Sequence, residues 1–490
     1  MSISGAAAAC INCHRRSGLG AREGRVSVPP IAGIYLFHPR AEAAAGDNSD
    51  LPYVDGIRPD RDPYTNETLA RAIREGVGQD GKPLHYLMPR YALDDGQMAS
   101  LIAYLGQLSP KTMPGADETT LHFATIQTPE ADPMVRDGVQ QVLERFFDDK
   151  NHYTRSQGPR MQSSHHMMFK ANRHWQLHVW KLSGAPSTWE RQLQQKLAEE
   201  PVLAVLASTG GSHWEPVHRF CEDAAVPCLF PVIDAPVADD AAFDNVYFSR
   251  GVLLEADLIA EGLKSLAAAG GHGRVVQVFR EGDAGETAAA RLATRLGEGT
   301  TKIELRLHAH GGAGDLANAL HALHPGDVPV LWLRPRDVAG LGPVPAGTTV
   351  AYLSGRMAGL ETAPLAPAWR AIARMAYPFD LPDRRKVQID YPLGWFRLKR
   401  IPVVALQPQA DAYLACIILS DALNHMSDTF VRDYLVERIQ GNLGHRILTG
   451  YYPRLGLAPG QSFASKGGFL VHFTAPQGER IVADTSWTTP

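Results

Sequence analysis

Runs of apolar residues alternate with amphipathic stretches over most of this chain, which predicts strands interleaved with helices. Positions 121–126, 175–180, 202–207 and 226–231 read as strands. Every residue of 202–207 is apolar, so both faces of that strand are predicted to be buried. Between the strands, 133–147, 188–200 and 215–224 place apolar side chains at helical spacing. The alternation then restarts, with helices predicted over 255–269, 287–296 and 315–323 and strands over 274–279, 302–307, 328–333 and 348–353. Repeated strand–helix units imply parallel sheets with right-handed crossovers, and two successive series imply two lobes with a cleft between them. A further apolar helix is predicted over 413–423.

The first 108 residues follow a different pattern. Their clearest periodic stretch sets Met98, Leu101, Ile102 and Leu105 at helical spacing after the acidic start Asp94-Asp95. Pro110, Pro114 and Gly115 mark residues 109–118 as a linker. The predicted organisation is therefore a small domain over 1–108, the linker, and a two-lobed α/β domain of doubly wound parallel sheets over 119–490.

Composition narrows the function classes. A chain of 490 residues is too long for a single core. Its net charge of −4 implies no nucleic-acid or polyanion partner. No run of about 18 apolar residues occurs, so no segment is predicted to span a membrane. Phosphate loops, Gly-x-Ser-x-Gly elbows and His-Glu-x-x-His zinc helices are absent, which leaves a hydrolase reading without support.

The densest chemistry lies at Cys10-Ile11-Asn12-Cys13-His14. Two thiols on one turn followed directly by histidine read as a covalent attachment site for c-type haem, with His14 placed to ligate the iron. A redox dithiol or half a zinc site is the alternative for Cys-x-x-Cys alone. Downstream, Met88-Pro89 sits in a loop before the helix that carries Met98. Together these segments resemble class I cytochromes c, a small all-α family. The resemblance implies that Met88 is the distal iron ligand and His14 the proximal one. Pro29-Pro30-Ile31-Ala32-Gly33 matches the family's Pro-x-Leu-x-Gly turn with isoleucine in the leucine place. It implies that the Pro29 carbonyl accepts a hydrogen bond from the other ring nitrogen of His14. Soft thioether sulfur favours ferrous iron, so a His/Met pair suits electron transfer. His38 and His85 are alternative ligands without the loop-then-helix context. Met98 is expected to pack in the core, and Met113 lies in the linker.

Haem of this kind is attached outside the cytoplasm, so a periplasmic location is expected. Residues 1–9 have neither a charged n-region nor an apolar h-region, and they are too few for the family's first helix. The expectation is that Met1 is not the natural start or that the chain is trimmed. A cytosolic protein that never receives haem is the alternative.

The two-lobed part resembles type I periplasmic binding proteins, specifically the branched-chain amino-acid and amide receptors, over roughly 121–473. In that family the loop after the third strand holds a ligand carboxylate, a role that falls here on Ser208, Thr209 and Ser212. The second contact falls on Asp234, where the family has a hydroxyl. An aspartate there favours an amine or another cation over the usual carboxylate pose. Ordinary loop and cap chemistry is the plain alternative for all four residues. Cys221 and Cys228 close a helix–strand loop in this resemblance, either as a disulfide or as two buried thiols. Cys416 is expected to be core. The cluster Ser163-Ser164-His165-His166-Met167-Met168 reads as a solvated loop rather than a copper or zinc site.

Three functional classes follow. One is a periplasmic electron carrier with a single haem, whose binding-protein-like module docks a dehydrogenase or oxidase. Another is a receptor for a small amine or amino-acid-like solute, with cleft closure coupled to the haem. The third is a haem enzyme, which a methionine ligand opposes by closing the open iron position.

Overall fold

The computed structural model describes all residues except 1–4, 6, 24–25, 38–61, 109–112, 118, 157–172, 240–241, 271–272, 427–429, 446–449, 476–477 and 479. His38 and the 163–168 cluster lie outside the described residues.

The N-terminal part is built on short helices. A single turn, α1 (Ile11–His14), precedes the ribbon β1 (Ala21–Glu23) and β2 (Val26–Val28), then α2 (Gly33–Phe37), α3 (Asn66–Glu75) and α4 (Asp95–Gln107). Helix α4 starts with a capping box, in which Asp94 accepts from the Gln97 amide and the Gln97 side chain accepts from the Asp94 amide. Met98, Ile102 and Leu105 of α4 are buried against Leu36, Tyr64, Leu69 and Ile73. A Cβ on Gly33 would fall 2.6 Å from the Gly106 carbonyl oxygen, so glycine is what lets α2 and α4 cross so closely.

The larger part contains two sheets. The first runs β4-β3-β5-β6-β7 and is wholly parallel: β3 is Thr120–Gln127, β4 His174–Lys181, β5 Ala204–Leu206, β6 Cys228–Leu229 and β7 Asn245–Val246. Helices α5 (Pro133–Ser156), α6 (Trp189–Glu199) and α7 (Glu215–Asp223) connect these strands. Alternation along β3 divides the core. Leu121 and Phe123 meet Phe147 and Trp175 on one face, while Ala124 and Ile126 meet Trp180, Trp189 and Leu193 on the other. Cys221 of α7 and Cys228 of β6 are joined as a disulfide, and Cys416 is buried with a free thiol.

After α8 (Val252–Ala268) the second series forms a sheet ordered β14-β13-β12-β11-β10-β8-β9. Its members are β8 (Val275–Arg280), α9 (Ala284–Leu296), β9 (Lys302–Leu307), α10 (Ala313–His321), β10 (Val328–Trp332), α11 (Pro335–Ala339), β11 (Ala351–Ser354), α12 (Gly355–Ala358), α13 (Pro367–Ile372) and β12 (Ala373–Tyr377). The chain then lays α14 (Pro382–Lys399), α15 (Leu406–Met426) and α16 (Arg432–Asn442) beside the first sheet, where Lys399 pairs with Asp149 of α5 at 2.5 Å. It returns as β13 (Phe469–Phe473) and β14 (Ile481–Ala483), both antiparallel. The second sheet is thus parallel with an antiparallel edge rather than parallel throughout. Among the described residues, no helix is long and apolar enough to cross a membrane.

Candidate functional site

Cys10 caps the single turn α1, and the His14 amide bonds to the Cys10 carbonyl at 2.8 Å, so Cys10, Cys13 and His14 share one compact turn. Both thiols are free; Cys13 is exposed and Cys10 partly buried. His14 is only 6% exposed, and its Nδ1 lies 2.8 Å from the Pro29 carbonyl oxygen. A carbonyl only accepts, so Nδ1 carries the proton and Nε2 keeps a free lone pair. Burial lowers the His14 pKa, opposed by the Pro29 hydrogen bond, and the ring is held in the neutral form that ligates metals. The turn back to Pro29 depends on Gly20, whose φ is +80° and where a Cβ would lie 2.2 Å from the Val28 carbonyl oxygen.

Met88 is half-buried in the loop between α3 and α4. Its amide bonds to the His85 carbonyl at 2.9 Å, and His85 itself is exposed. Tyr91 ties this loop to two places. Its amide bonds to the Ile73 carbonyl at 3.1 Å, and its hydroxyl donates to the Ala8 carbonyl, 4.0 Å from the Cys10 sulfur. Burial, then the neighbouring Cys10 thiol, push the Tyr91 phenol up to about 12, so it stays a neutral donor. Tyr91 therefore joins the Met88 loop to the two-thiol turn. The donors present — two free thiols, a buried neutral imidazole and a thioether on a loop fastened to that turn — are those a covalent haem requires.

The segment after His14 docks on the larger part. The Ser17 amide and hydroxyl both donate to the Glu437 carboxylate of α16, at 2.8 and 2.5 Å. Arg16 lies 3.5 Å from Asp433 and sits over the Phe243 ring. Next to this contact, Arg432 donates to the Val202 carbonyl at 2.6 Å and to the Ala225 carbonyl at 3.2 Å, at the N-terminal ends of β5 and β6. Burial pushes the Glu437 carboxyl up to about 7, with the Ser17 hydrogen bonds opposing. Replacing Glu437 by alanine is expected to release this segment. Amide hydrogen exchange at Ser17 should then speed up on the order of tenfold, the equivalent of one lost hydrogen bond of about 1.4 kcal/mol. Exchange unchanged from the parent would show that Glu437 does not hold it.

Ser208, Thr209, Ser212 and Asp234 lie at the opposite, C-terminal end of the first sheet. Ser208 is buried, and its hydroxyl accepts from the Ile126 amide at 3.0 Å. The buried hydroxyls of Thr209 and Thr128 and the Gln127 side-chain carbonyl have no hydrogen-bond partner among the described residues. Ala207 and Phe230, which end adjacent strands, both take left-handed backbone (φ +44° and +53°), a strain that folds retain mainly near binding sites. Ser212 is half-buried, next to His213, whose ring lies 2.5 Å from Glu130. Asp234 stands apart from the hydroxyls electrostatically. Arg334 donates to its carboxylate at 2.6 Å and also binds Asp283, while Arg356 lies 3.6 Å away. Burial opposes ionisation of Asp234, but the two guanidiniums outweigh it and hold the pKa below the usual range. An incoming amine therefore meets a carboxylate already engaged.

Residues 5–109 match the family described as Cytochrome c. That family implies a covalently bound haem c with its iron, and the donor set above fits it. No curated protein matches the chain. Among solved structures, the chain is similar to a branched-chain amino acid transporter substrate binding protein from Streptococcus pneumoniae in complex with isoleucine. The identity is 10% and the TM-score 0.54, covering 76% of this chain and 100% of that one. It is also similar to a substrate-binding periplasmic protein from Ralstonia solanacearum, at 12% identity and TM-score 0.53, covering 74% and 99%. A fatty acid ABC transporter substrate-binding protein from Thermomonospora curvata gives 14% identity and TM-score 0.50, covering 78% and 95%. At these identities the likeness concerns the fold alone. The chain thus joins a small N-terminal cytochrome c domain to an α/β domain with the fold of type I periplasmic binding proteins.

Proposed function

We propose that this chain is a periplasmic electron carrier with one haem held by residues 1–108. A linker over 109–118 joins it to a binding-protein-like module over 119–490 that docks a dehydrogenase or oxidase. The observation that carries this reading is the buried, neutral His14, oriented by the Pro29 carbonyl beside two unpaired thiols. In it, Cys10 and Cys13 would anchor the group, His14 and Met88 would supply ligands to its iron, and the Pro29 carbonyl would hold the His14 ring. A bound haem supplies a one-electron ferric/ferrous couple. Expressed in a periplasm with haem-attachment machinery, the intact chain should carry the added mass of one haem and be reduced by ascorbate. Replacing Cys10 and Cys13 together by alanine should remove that mass. A parent chain without the added mass would refute the proposal.

A second reading is favoured by the unpartnered Thr209, Thr128 and Gln127 groups, which suit a polar solute. It makes the module a receptor for a small amine or amino-acid-like ligand, with Ser208, Thr209 and Ser212 on a carboxylate. An amine would reach Asp234 only by displacing a guanidinium. Titrating the haem-loaded chain with amines and amino acids should then raise its melting temperature, and Thr209→Val should abolish the shift. A panel that leaves the melting temperature unmoved would exclude this receptor role.

A further inference from the structure

The loop that carries Met88 is fastened to α3 near both of its ends. Arg71 of α3 donates to the Gly78 carbonyl at 2.8 Å, where the loop leaves the helix. Arg74 donates to the Leu93 carbonyl at 2.9 and 3.1 Å and to Asp95 at 2.8 Å, where the loop meets α4. Backbone bonds add the Leu84 amide on the Gly76 carbonyl at 2.7 Å and the Tyr91 amide on the Ile73 carbonyl at 3.1 Å. Residues 85–90 fill the interval between those two bonds, and Met88 is among them. The Met88 turn, closed on the His85 carbonyl, is internal to that interval and does not tie it to α3. Arg90 supplies such a tie. Its guanidinium donates to the Met88 carbonyl at 2.5 Å and lies against Gly76, the left-handed residue (φ +70°) that caps α3. A Cβ on Gly76 would overlap the guanidinium, so glycine both ends the helix and leaves the space. Gly76 is buried and Arg90 exposed. One planar group thus bridges the end of α3 and the Met88 backbone.

We propose that Arg90 is a positioning residue for the iron ligand: by fixing the Met88 carbonyl against the end of α3, it keeps the Met88 thioether available to the iron. This rests on the reading that Met88 is that ligand. Methionine is long and flexible, so a thioether on a loose backbone loses more entropy when it docks. A ligand supplied by the chain competes with free ligands through its effective concentration, which the placement of its backbone sets. Loosening that backbone therefore favours any free ligand able to take the place of Met88. The cationic charge of Arg90 acts differently. It shifts the balance between ferric and ferrous iron from a distance and does not decide which donor occupies the site.

Titration of the ferric, haem-loaded full chain with free imidazole tests this. Every sample carries His85→Ala, so that no neighbouring histidine competes. Arg90→Ala should bind imidazole on the order of tenfold more tightly than the protein with Arg90 intact, the equivalent of one exposed charge-assisted hydrogen bond. Its melting temperature should hardly move, because Arg90 is exposed. Arg90→Lys keeps a donor and the charge but not the planar bridge, and should fall between the two. Met88→Ala, titrated alongside, should bind imidazole most tightly, since nothing then has to be displaced. An affinity of Arg90→Ala within about twofold of the intact protein, with Met88→Ala still the tightest, overturns the proposal and leaves the ligand reading standing. That holds even if the reduction potential of Arg90→Ala falls, because charge alone would account for the fall. A Met88→Ala protein that binds imidazole no more tightly than the intact one would refute the ligand reading itself, and this inference with it.

Discussion

Replacing Met88 by alanine should leave the haem attached and the chain folded, yet change the iron's spectrum and lower its reduction potential. Attachment rests on Cys10 and Cys13, which the substitution does not touch, and Met88 is only half-buried, so little core packing is lost. The thioether is the soft ligand that favours the ferrous state. Its removal should shift the potential downward on the order of 0.1 V, within the roughly 0.8 V span that axial ligands command. Met98→Ala is the contrasting control: Met98 is 3% exposed in the α4 core, so its loss should cost about 2–5 kcal/mol and leave the potential nearly unmoved. Redox titration with visible spectra separates the two. A Met88→Ala protein with the parent potential and spectrum would remove Met88 from the iron, leaving the exposed His85 as the described candidate on the same loop.

What could be read along the chain follows from where the interacting groups sit. The two-thiol turn is legible because its chemistry needs neighbouring residues, and the strands because their apolar runs are continuous. Tyr91, Glu437 and Arg356 are not, since their partners lie 83, 420 and more than 100 residues away and nothing local marks them. Helix α14 hides for another reason: Ile389, Pro392 and Phe396 are buried while Val387, Tyr391 and Leu398 on the other side are exposed, so apolar residues on both sides leave no one-sided periodicity to recognise. Helix α5 runs nine residues past 147 because the added turns are polar and rest on tertiary packing, as in the bonds from Asn151 to the Trp175 backbone. Asp234 shows the limit of reading a site by position. Its place after the strand was readable, but the two arginines that neutralise it arrive from 100 and more residues downstream.

Those arginines also govern the stability of the module. The Arg356 side chain is only 8% exposed, within reach of Asp234 and close to the Glu255 and Asp411 carboxyls; Glu255 accepts from its backbone amide at 2.9 Å. Burial pushes both Glu255 and Asp411 up to about 7, and the Arg356 charge is among the influences that hold them from rising further. In the unfolded chain such carboxyls release their protons near pH 4. Between about pH 4 and pH 7 the folded state therefore binds more protons, and these two groups make stability fall as pH rises. Arg356→Ala should cost about 3–5 kcal/mol, because it strands buried carboxylates without their cation. The loss should be smaller at pH 5, where Glu255 and Asp411 are already protonated, than at pH 8, where the parent ionises them against Arg356. Thermal unfolding followed by tryptophan fluorescence should show a depression of roughly 5–10 °C at pH 8 and clearly less at pH 5. Arg356→Lys should recover part of it and Arg356→Met almost none. An equal depression at both pH values would mean that Arg356 acts through packing on Phe379, 5.6 Å from its guanidinium, and not through charge.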